Sequence, residues 1–403
     1  MFSWIPAFAG MTVFVMTNVA VYSKRGLGMG KALNKAFLIL VLVLFFPFIS
    51  FSEEIYEFER MWPALEQPWY FNHPSGIALD SSGNVYVADT LNDRIQKFTA
   101  GGQLITIWGN FGNGDGQFHS PGGVAIDGSS SVYVAELDGC RVQKFTSTGQ
   151  FITKWGSAGS GDGQFISPSG IAIDSSGNVY VTDSVNNRIQ KFTSGGESIT
   201  KWGSSGIADG ELNFPSGIAI DSSGYVYIAD SSNFRIQKFT SSGQFIAKWG
   251  SPGSGNGQFS FPWGIAIDNS SNLYVTETLN QRIQKFTSNG QFIAKWGSSG
   301  NADGWFNLPS GIAMDSSGYV YIVDSLNQRI QKFTSNGQFI AKWGSFGSGQ
   351  FGLPSGIAID GSSYVYVVDS GTCSIQKFTR NGQFITKWGS VGRETVSLLS
   401  LLG

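Results

Sequence analysis

Gly170-Ile-Ala-Ile-Asp174, Ser-Ser-Gly, Asn178-Val-Tyr-Val-Thr-Asp183, Ser-Val-Asn-Asn, Arg188-Ile-Gln-Lys-Phe192, Thr-Ser-Gly-Gly, then Ile199-Thr-Lys-Trp-Gly203 is one module of a chain that repeats it. The opening phrase, Pro-Ser-Gly-Ile-Ala-x-Asp with small variations, begins at Pro74, Pro121, Pro168, Pro215, Pro262, Pro309 and Pro354. Five intervals are 47 residues and the last is 45. Repeats of this length signal modular architectures, and they decide the fold before any other feature.

Each module holds four strand-like runs. Strand a is Gly-Ile-Ala-x-Asp, strand b x-Val-Tyr-Val-x-Asp, strand c Arg-Ile-Gln-Lys-Phe and strand d Gln-Phe-Ile-x-Lys-Trp-Gly. Asp-Ser-Ser-Gly separates a from b, and Thr-Ser-x-Gly separates c from d. In such tight turns Asp bonds the backbone and Gly takes positive φ. The b–c link is short. The d–a link is longer and Gly-rich, as in Gly156-Ser-Ala-Gly-Ser-Gly-Asp-Gly-Gln-Phe165. A four-stranded meander this small cannot hide both its faces alone. Repeated radially, each sheet leans on its neighbours, which makes an all-β propeller of antiparallel blades. Small Gly and Ala in strand a suit the crowded axis. Trp108, Trp155, Trp202, Trp249, Trp296, Trp343 and Trp388 in strand d suit the splayed rim.

Phe58-Glu-Arg-Met-Trp62 repeats the Phe-to-Trp spacing of strand d, so there are eight candidate d strands for seven a–b–c sets. Either this N-terminal strand, residues 55–62, completes the last blade, or Phe384 to Trp388 does. Seven blades are expected, with six as the alternative. The propeller is placed at residues 53–390, followed by a short apolar tail, 391–403, to which the repeat assigns no role.

Residues 1–52 differ in kind. They carry Lys24, Arg25, Lys31 and Lys35 and no acid, then the apolar run Ala36 to Ile49 and small residues at Ser50 and Ser52. A basic segment, a short apolar run and small residues form the pattern of a secretory signal peptide; a membrane-spanning helix needs about 20 apolar residues. Export to the periplasm, cell surface or medium is expected, with an uncleaved anchor as the other reading. Residues 2–12 resemble a translated intergenic repeat, so the natural start is placed at Met29. Without residues 1–52 the chain keeps about 22 basic side chains against 28 acidic, a net charge near −6. That balance argues against a broad nucleic-acid footprint. Cys140 and Cys373 fall in modules two steps apart around the ring, beyond the roughly 7 Å Cα limit for a disulfide, and are expected to be unpaired.

Strand direction alternates, so the b–c and d–a loops emerge on one face. These longer loops make it the expected functional face. Arg94, Arg141, Arg188, Arg235, Arg282 and Arg329 open strand c in six modules; Ser374 replaces them in the seventh. An acid ends strand b just before each: Asp89, Glu136, Asp183, Asp230, Glu277, Asp324 and Asp369. The arrangement reads either as a charged ring for an anionic ligand or as acid–Arg pairs pinning each hairpin. The strand-a aspartates, Asp80 through Asp360, read as turn caps. Residues that break the repeat are more specific. Trp263 replaces a small residue at the channel mouth, Trp305 replaces Gln in a d–a loop, and Phe234 sits in a b–c loop. Aromatics there suit stacking on sugars or anchoring a protein. Asp115 and Asp162 in the Gly-Asp-Gly-Gln-Phe loops raise calcium, but one carboxylate per loop falls far short of the six to eight oxygens that ion takes. No cofactor is expected.

Strand a, Asp-x-x-Gly, Val-Tyr-Val-Ala-Asp, Asn-x-Arg-Ile-Gln-x-Phe and the terminal Trp-Gly together resemble the NHL repeat over roughly residues 55–390. The resemblance implies a propeller, often six-bladed, and leaves function open. NHL-like lyases that release amidated peptides use a zinc site with several His; beyond residue 52 this chain has only His73 and His119. Propeller lactonases hold calcium with non-repeating Glu, Asn and Asp, whereas strand a here is nearly uniform. Some NHL domains bind RNA on a basic face, and others belong to ubiquitin ligases with zinc-binding cysteines; neither feature is present. The expected role is a monomeric, non-enzymatic module that binds a protein or polysaccharide through its loop face, with a metal-dependent lyase or hydrolase as the alternative.

Overall fold

The computed structural model describes residues 71–344 and 349–390. They form seven four-stranded sheets, each a meander of consecutive strands. In the first, Pro74–Leu79, Val85–Asp89, Arg94–Phe98 and Leu104–Trp108 take positions a to d, every neighbour antiparallel. The last is built the same way from Pro354–Ile359, Val365–Asp369, Ser374–Phe378 and Phe384–Trp388. The seventh blade therefore takes its fourth strand from Phe384–Trp388. The strand expected at 55–62 lies outside the described residues, as do the basic and apolar segment before residue 53 and the tail 391–403.

The period of two in strand b explains the ring. Val85 and Val87, with Phe98, pack against Tyr366, Val368 and Ile375 of the seventh blade. Tyr86 and Ala88, with Ile95, pack against Val132, Val134 and Phe145 of the second. Alternate side chains of one strand thus serve two different interfaces. A cluster of this kind fills every gap around the ring, including that between the last blade and the first. Both faces of each blade are apolar, so no blade can be soluble without two neighbours.

Polar bonds follow the same circuit. Lys97 Nζ donates to Ser147 O of the next blade's c–d turn at 2.9 Å, and Lys377 Nζ closes the circle on Ala100 O at 2.7 Å. Ser370 Oγ donates to Pro74 O at 2.6 Å, and Phe71 N donates to Ser390 O at 3.0 Å. The strand-a aspartates cap their turns as expected: Asp80 Oδ1 accepts from the backbone N–H groups of Ser82 and Asn84. Cys140 and Cys373 are buried free thiols.

The second carboxylate oxygen of each cap holds a tyrosine. Tyr86 donates to Asp80 at 3.1 Å and Tyr227 to Asp221 at 2.9 Å, and the other five blades repeat the pair. Burial, then the adjacent carboxylate, pushes all seven phenols far above the ordinary tyrosine value. Burial alone would raise the Asp80, Asp174 and Asp268 carboxyls too, but the bonds they accept outweigh it and leave them lowered. A phenol whose folded value exceeds its unfolded one contributes stability that is complete below about pH 10 and declines as pH rises through the folded value. The urea midpoint is expected to hold between about pH 7 and 9, then fall steeply, by up to about 1.4 kcal/mol per pH unit for each phenol. Tyr227→Phe should flatten that decline by one phenol's share. Equal slopes for the variant and the natural chain would show that Tyr227 is not held in this way.

Candidate functional site

The six arginines are not on the ligand face. Arg141, Arg188, Arg235, Arg282 and Arg329 are buried, and Arg94 is nearly so. Each donates Nε to the acid that ends strand b, as Arg235 does to Asp230 at 2.7 Å. The other guanidinium nitrogens of Arg235 donate to Ile207 O, Ala208 O and Glu211 O at 2.6, 2.9 and 2.6 Å. The side chain therefore turns inward and staples the d–a loop to strand c. A ring of arginines facing an anionic ligand is corrected to acid–Arg pairs: five guanidiniums spend their donors on loop carbonyls and an acid, and Arg94 donates Nε to Asp89. The acids beneath are so enclosed that burial pushes Asp89, Glu136 and Asp324 upward despite these bonds. The seventh blade accounts for the exception. Its incoming loop is the one shortened by two residues, and Asp369 there accepts from Gly352 N and Leu353 N, at 2.9 and 2.8 Å, and from Thr372. In the other blades the loop gives its acid one backbone N–H, as Asn213 gives Asp230, and the arginine supplies the rest; in the seventh, two N–H groups and Thr372 take the arginine's place.

Asp115 and Asp162 each face a lysine, Lys154 at 2.9 Å and Lys201. His119 lies edge-on to Phe111 at 5.1 Å, and His73 is exposed. Among the described residues, no three His, Cys, Asp or Glu gather so as to hold a metal ion.

The loop face has two unlike halves. The residue before each strand-a proline lies at the channel mouth, and around the ring it reads His73, Ser120, Ser167, Phe214, Phe261, Leu308 and Leu353. The first six adopt left-handed backbone, with φ between 51 and 56°. That conformation is uncommon for large apolar side chains, and strain of this sort concentrates at functional positions. Bonds across the gap between blades hold it. Phe214 N donates to Asn187 Oδ1 at 2.7 Å, and Leu308 N to Gln281 Oε1 at 2.6 Å. The first three blades thus present polar groups at the mouth, including the Ser120–Asp138 hydrogen bond, and the last four present apolar ones.

The apolar half encloses a cleft of about 290 Å³ across the fifth, sixth and seventh blades. Phe261, Trp263, Leu308, Leu326 and Leu353 form its walls, with the hydroxyl residues Thr278, Ser310 and Ser325 among them. Trp263 is 40% exposed and stacks on Phe261, ring centroids 5.9 Å apart and planes 16° from parallel. Its backbone is set by the fourth blade. Ser231 Oγ donates to Pro262 O at 2.7 Å, and Ser216 Oγ to Trp263 O at 3.3 Å. The cleft is thus open, apolar and built on rigid strand ends.

Of the three aromatics singled out by sequence, only Trp263 lines this cleft. Trp305 is exposed but rests on Gly300 within its own d–a loop, and its carbonyl serves Arg329 and Gln331. Phe234 is half-buried against the cluster of Tyr227, Phe259 and Leu273. Sequence reasoning missed Phe261, Leu308, Leu326 and Leu353. For Phe261, Leu308 and Leu353 the signal was the column before the prolines, which turns from polar to apolar at the fourth module; Leu326, in a b–c loop, gave none.

The fold has close counterparts among solved structures. A streptogramin B lyase superposes with a TM-score of 0.62 at 17% identity, over 76% of this chain and 93% of that one. A catalytically inactive virginiamycin B lyase from Staphylococcus aureus with quinupristin gives 0.62 at 19%, over 76% and 94%. Kuenenia stuttgartiensis hydrazine synthase gives 0.61 at 13%, over 77% and 96%. At such identities the likeness is one of fold alone. No curated protein sequence matches the chain. The NHL repeat family matches residues 71–98, 165–192, 212–239, 259–286 and 306–333, one segment in each of five blades. Five of its blades are therefore NHL repeats, and the described residues form a seven-bladed β-propeller.

Proposed function

We propose that this propeller is a protein-binding module that takes an apolar segment of its partner into the cleft beside Trp263. One observation carries the reading: the repeat is broken toward large apolar residues at neighbouring positions of consecutive blades, and they converge on one open cleft. Nothing in the packing of the ring calls for them, since the first three blades close equally well with His73, Ser120 and Ser167 at the same position. Exposed apolar surface that folding does not require marks interaction sites. A polysaccharide suits the cleft less, because its polar groups are limited to hydroxyls and backbone, without the charged or amide side chains that fix sugar hydroxyls. In this reading the module acts outside the cytoplasm, as a monomer and without a cofactor.

Panning a random peptide library on the purified chain tests it. Enriched sequences are expected to carry two or more large apolar residues. Trp263→Ala should weaken their binding about 30-fold, the loss of a central anchor worth about 2 kcal/mol. Sequences bound equally well by Trp263→Ala would place the interaction elsewhere. A chain that captures glycans from an array and no peptides would overturn the reading.

A further inference from the structure

The tail, unlike the strands before it, is not absorbed by the repeat. Residues 391–403 read Val-Gly-Arg-Glu-Thr-Val-Ser-Leu-Leu-Ser-Leu-Leu-Gly, with no charge after Glu394 and four leucines in the last six positions. An apolar run of this kind gains by burial, and the described residues offer a site of the same character. Ser390 follows the last strand d, at the position where every other blade begins its d–a loop, so the chain leaves on the loop face. The cleft opens on that same face, and its Leu353 belongs to the blade from which the tail departs. Thirteen residues reach at most about 47 Å when extended. Both surfaces are uncharged where they would meet: the cleft is lined by Phe261, Trp263, Leu308, Leu326 and Leu353 with hydroxyls between, and the tail alternates leucine pairs with Ser397 and Ser400.

We infer that the leucines of residues 396–402 seat in the cleft beside Trp263, so that the chain occupies its own docking site and a partner must displace the tail. This rests on the reading of the cleft as a docking site, and it adds an internal competitor. A tethered segment competes at an effective concentration on the order of 1 mM, so a free peptide of affinity on the order of 10 µM should bind the intact chain about 100-fold more weakly than a chain whose tail cannot seat.

The test uses a fluorescent peptide of residues 391–403 and three full-length chains: the natural one, one carrying Leu398→Ser, Leu399→Ser, Leu401→Ser and Leu402→Ser, and that variant with Trp263→Ala added. Anisotropy should show binding to the tail-substituted chain, binding about 100-fold weaker to the natural chain, and loss of binding with Trp263→Ala. Equal binding to the natural and tail-substituted chains would overturn the inference. So would absence of binding to both, or a tail-substituted chain that dimerises in sedimentation and ignores the peptide, which would make a second copy the occupant. If library peptides bind at Trp263 while the tail peptide does not, the docking site stands and the internal competitor falls.

Discussion

Gly217→Ala is expected to lower stability by about 3 kcal/mol, the upper end for overpacking, because no rotamer change can relieve the clash. A β-carbon there would lie 2.2 Å from the carbonyl oxygen of Trp263, a backbone atom of the neighbouring blade. Strands a stand closest together at the axis, and Gly76 meets Gly122 O in the same way at 2.1 Å. Gly128, in an a–b turn, has nothing within 4 Å of its notional β-carbon and supplies the control. Gly128→Ala should stay within about 0.5 kcal/mol of the natural chain. Urea unfolding followed by tryptophan fluorescence measures both, and coincident midpoints would refute the close approach. The displacement also has a functional reading. Gly217→Ala pushes on the backbone that carries Trp263, so binding at the cleft should suffer even below the unfolding transition, whereas Gly128→Ala should leave it intact.

Arg235→Ala should cost about 3–5 kcal/mol, the range for stranding one member of a buried ion pair. It leaves Asp230 fully buried without its cation and frees three carbonyls of the loop at residues 207–211. Arg235→Lys should recover little, since one ammonium cannot reproduce a planar fork with four directed bonds. The loss should be local in origin: limited proteolysis is expected to cut first between residues 204 and 213. Asp369→Asn in the seventh blade should be far milder. That carboxylate is held by backbone N–H groups and Thr372, with no arginine beside it. Similar losses for Arg235→Ala and Asp369→Asn would contradict the assignment of the arginines as pins.

The arginines also show how a sequence can name the right residues and leave their role undecided. Their place at the start of strand c, next to an acid, was plain. Whether the guanidiniums faced a ligand or the protein was not, because both arrangements need the same local spacing. Burial decided it, and burial depends on a loop that runs 24 to 29 residues earlier in the chain. Trp263 was conspicuous because it broke a column of small residues. Leu308 and Leu353 were not, since a leucine before a proline is unremarkable until its six counterparts are read together.

The strands, the turn caps, the acid–Arg pairs and the need for a ring were set by the amino-acid sequence itself. They follow from alternation, turn chemistry and burial demands that each module carries within about 47 residues. The strand that completes the seventh blade, the inward aim of the guanidiniums and the gathering of Phe261, Trp263, Leu308, Leu326 and Leu353 were decided by tertiary structure. The guanidiniums reach a loop 24 to 29 residues earlier, and the cleft joins residues about one module apart through side-by-side packing around an axis; no local pattern encodes which columns meet there.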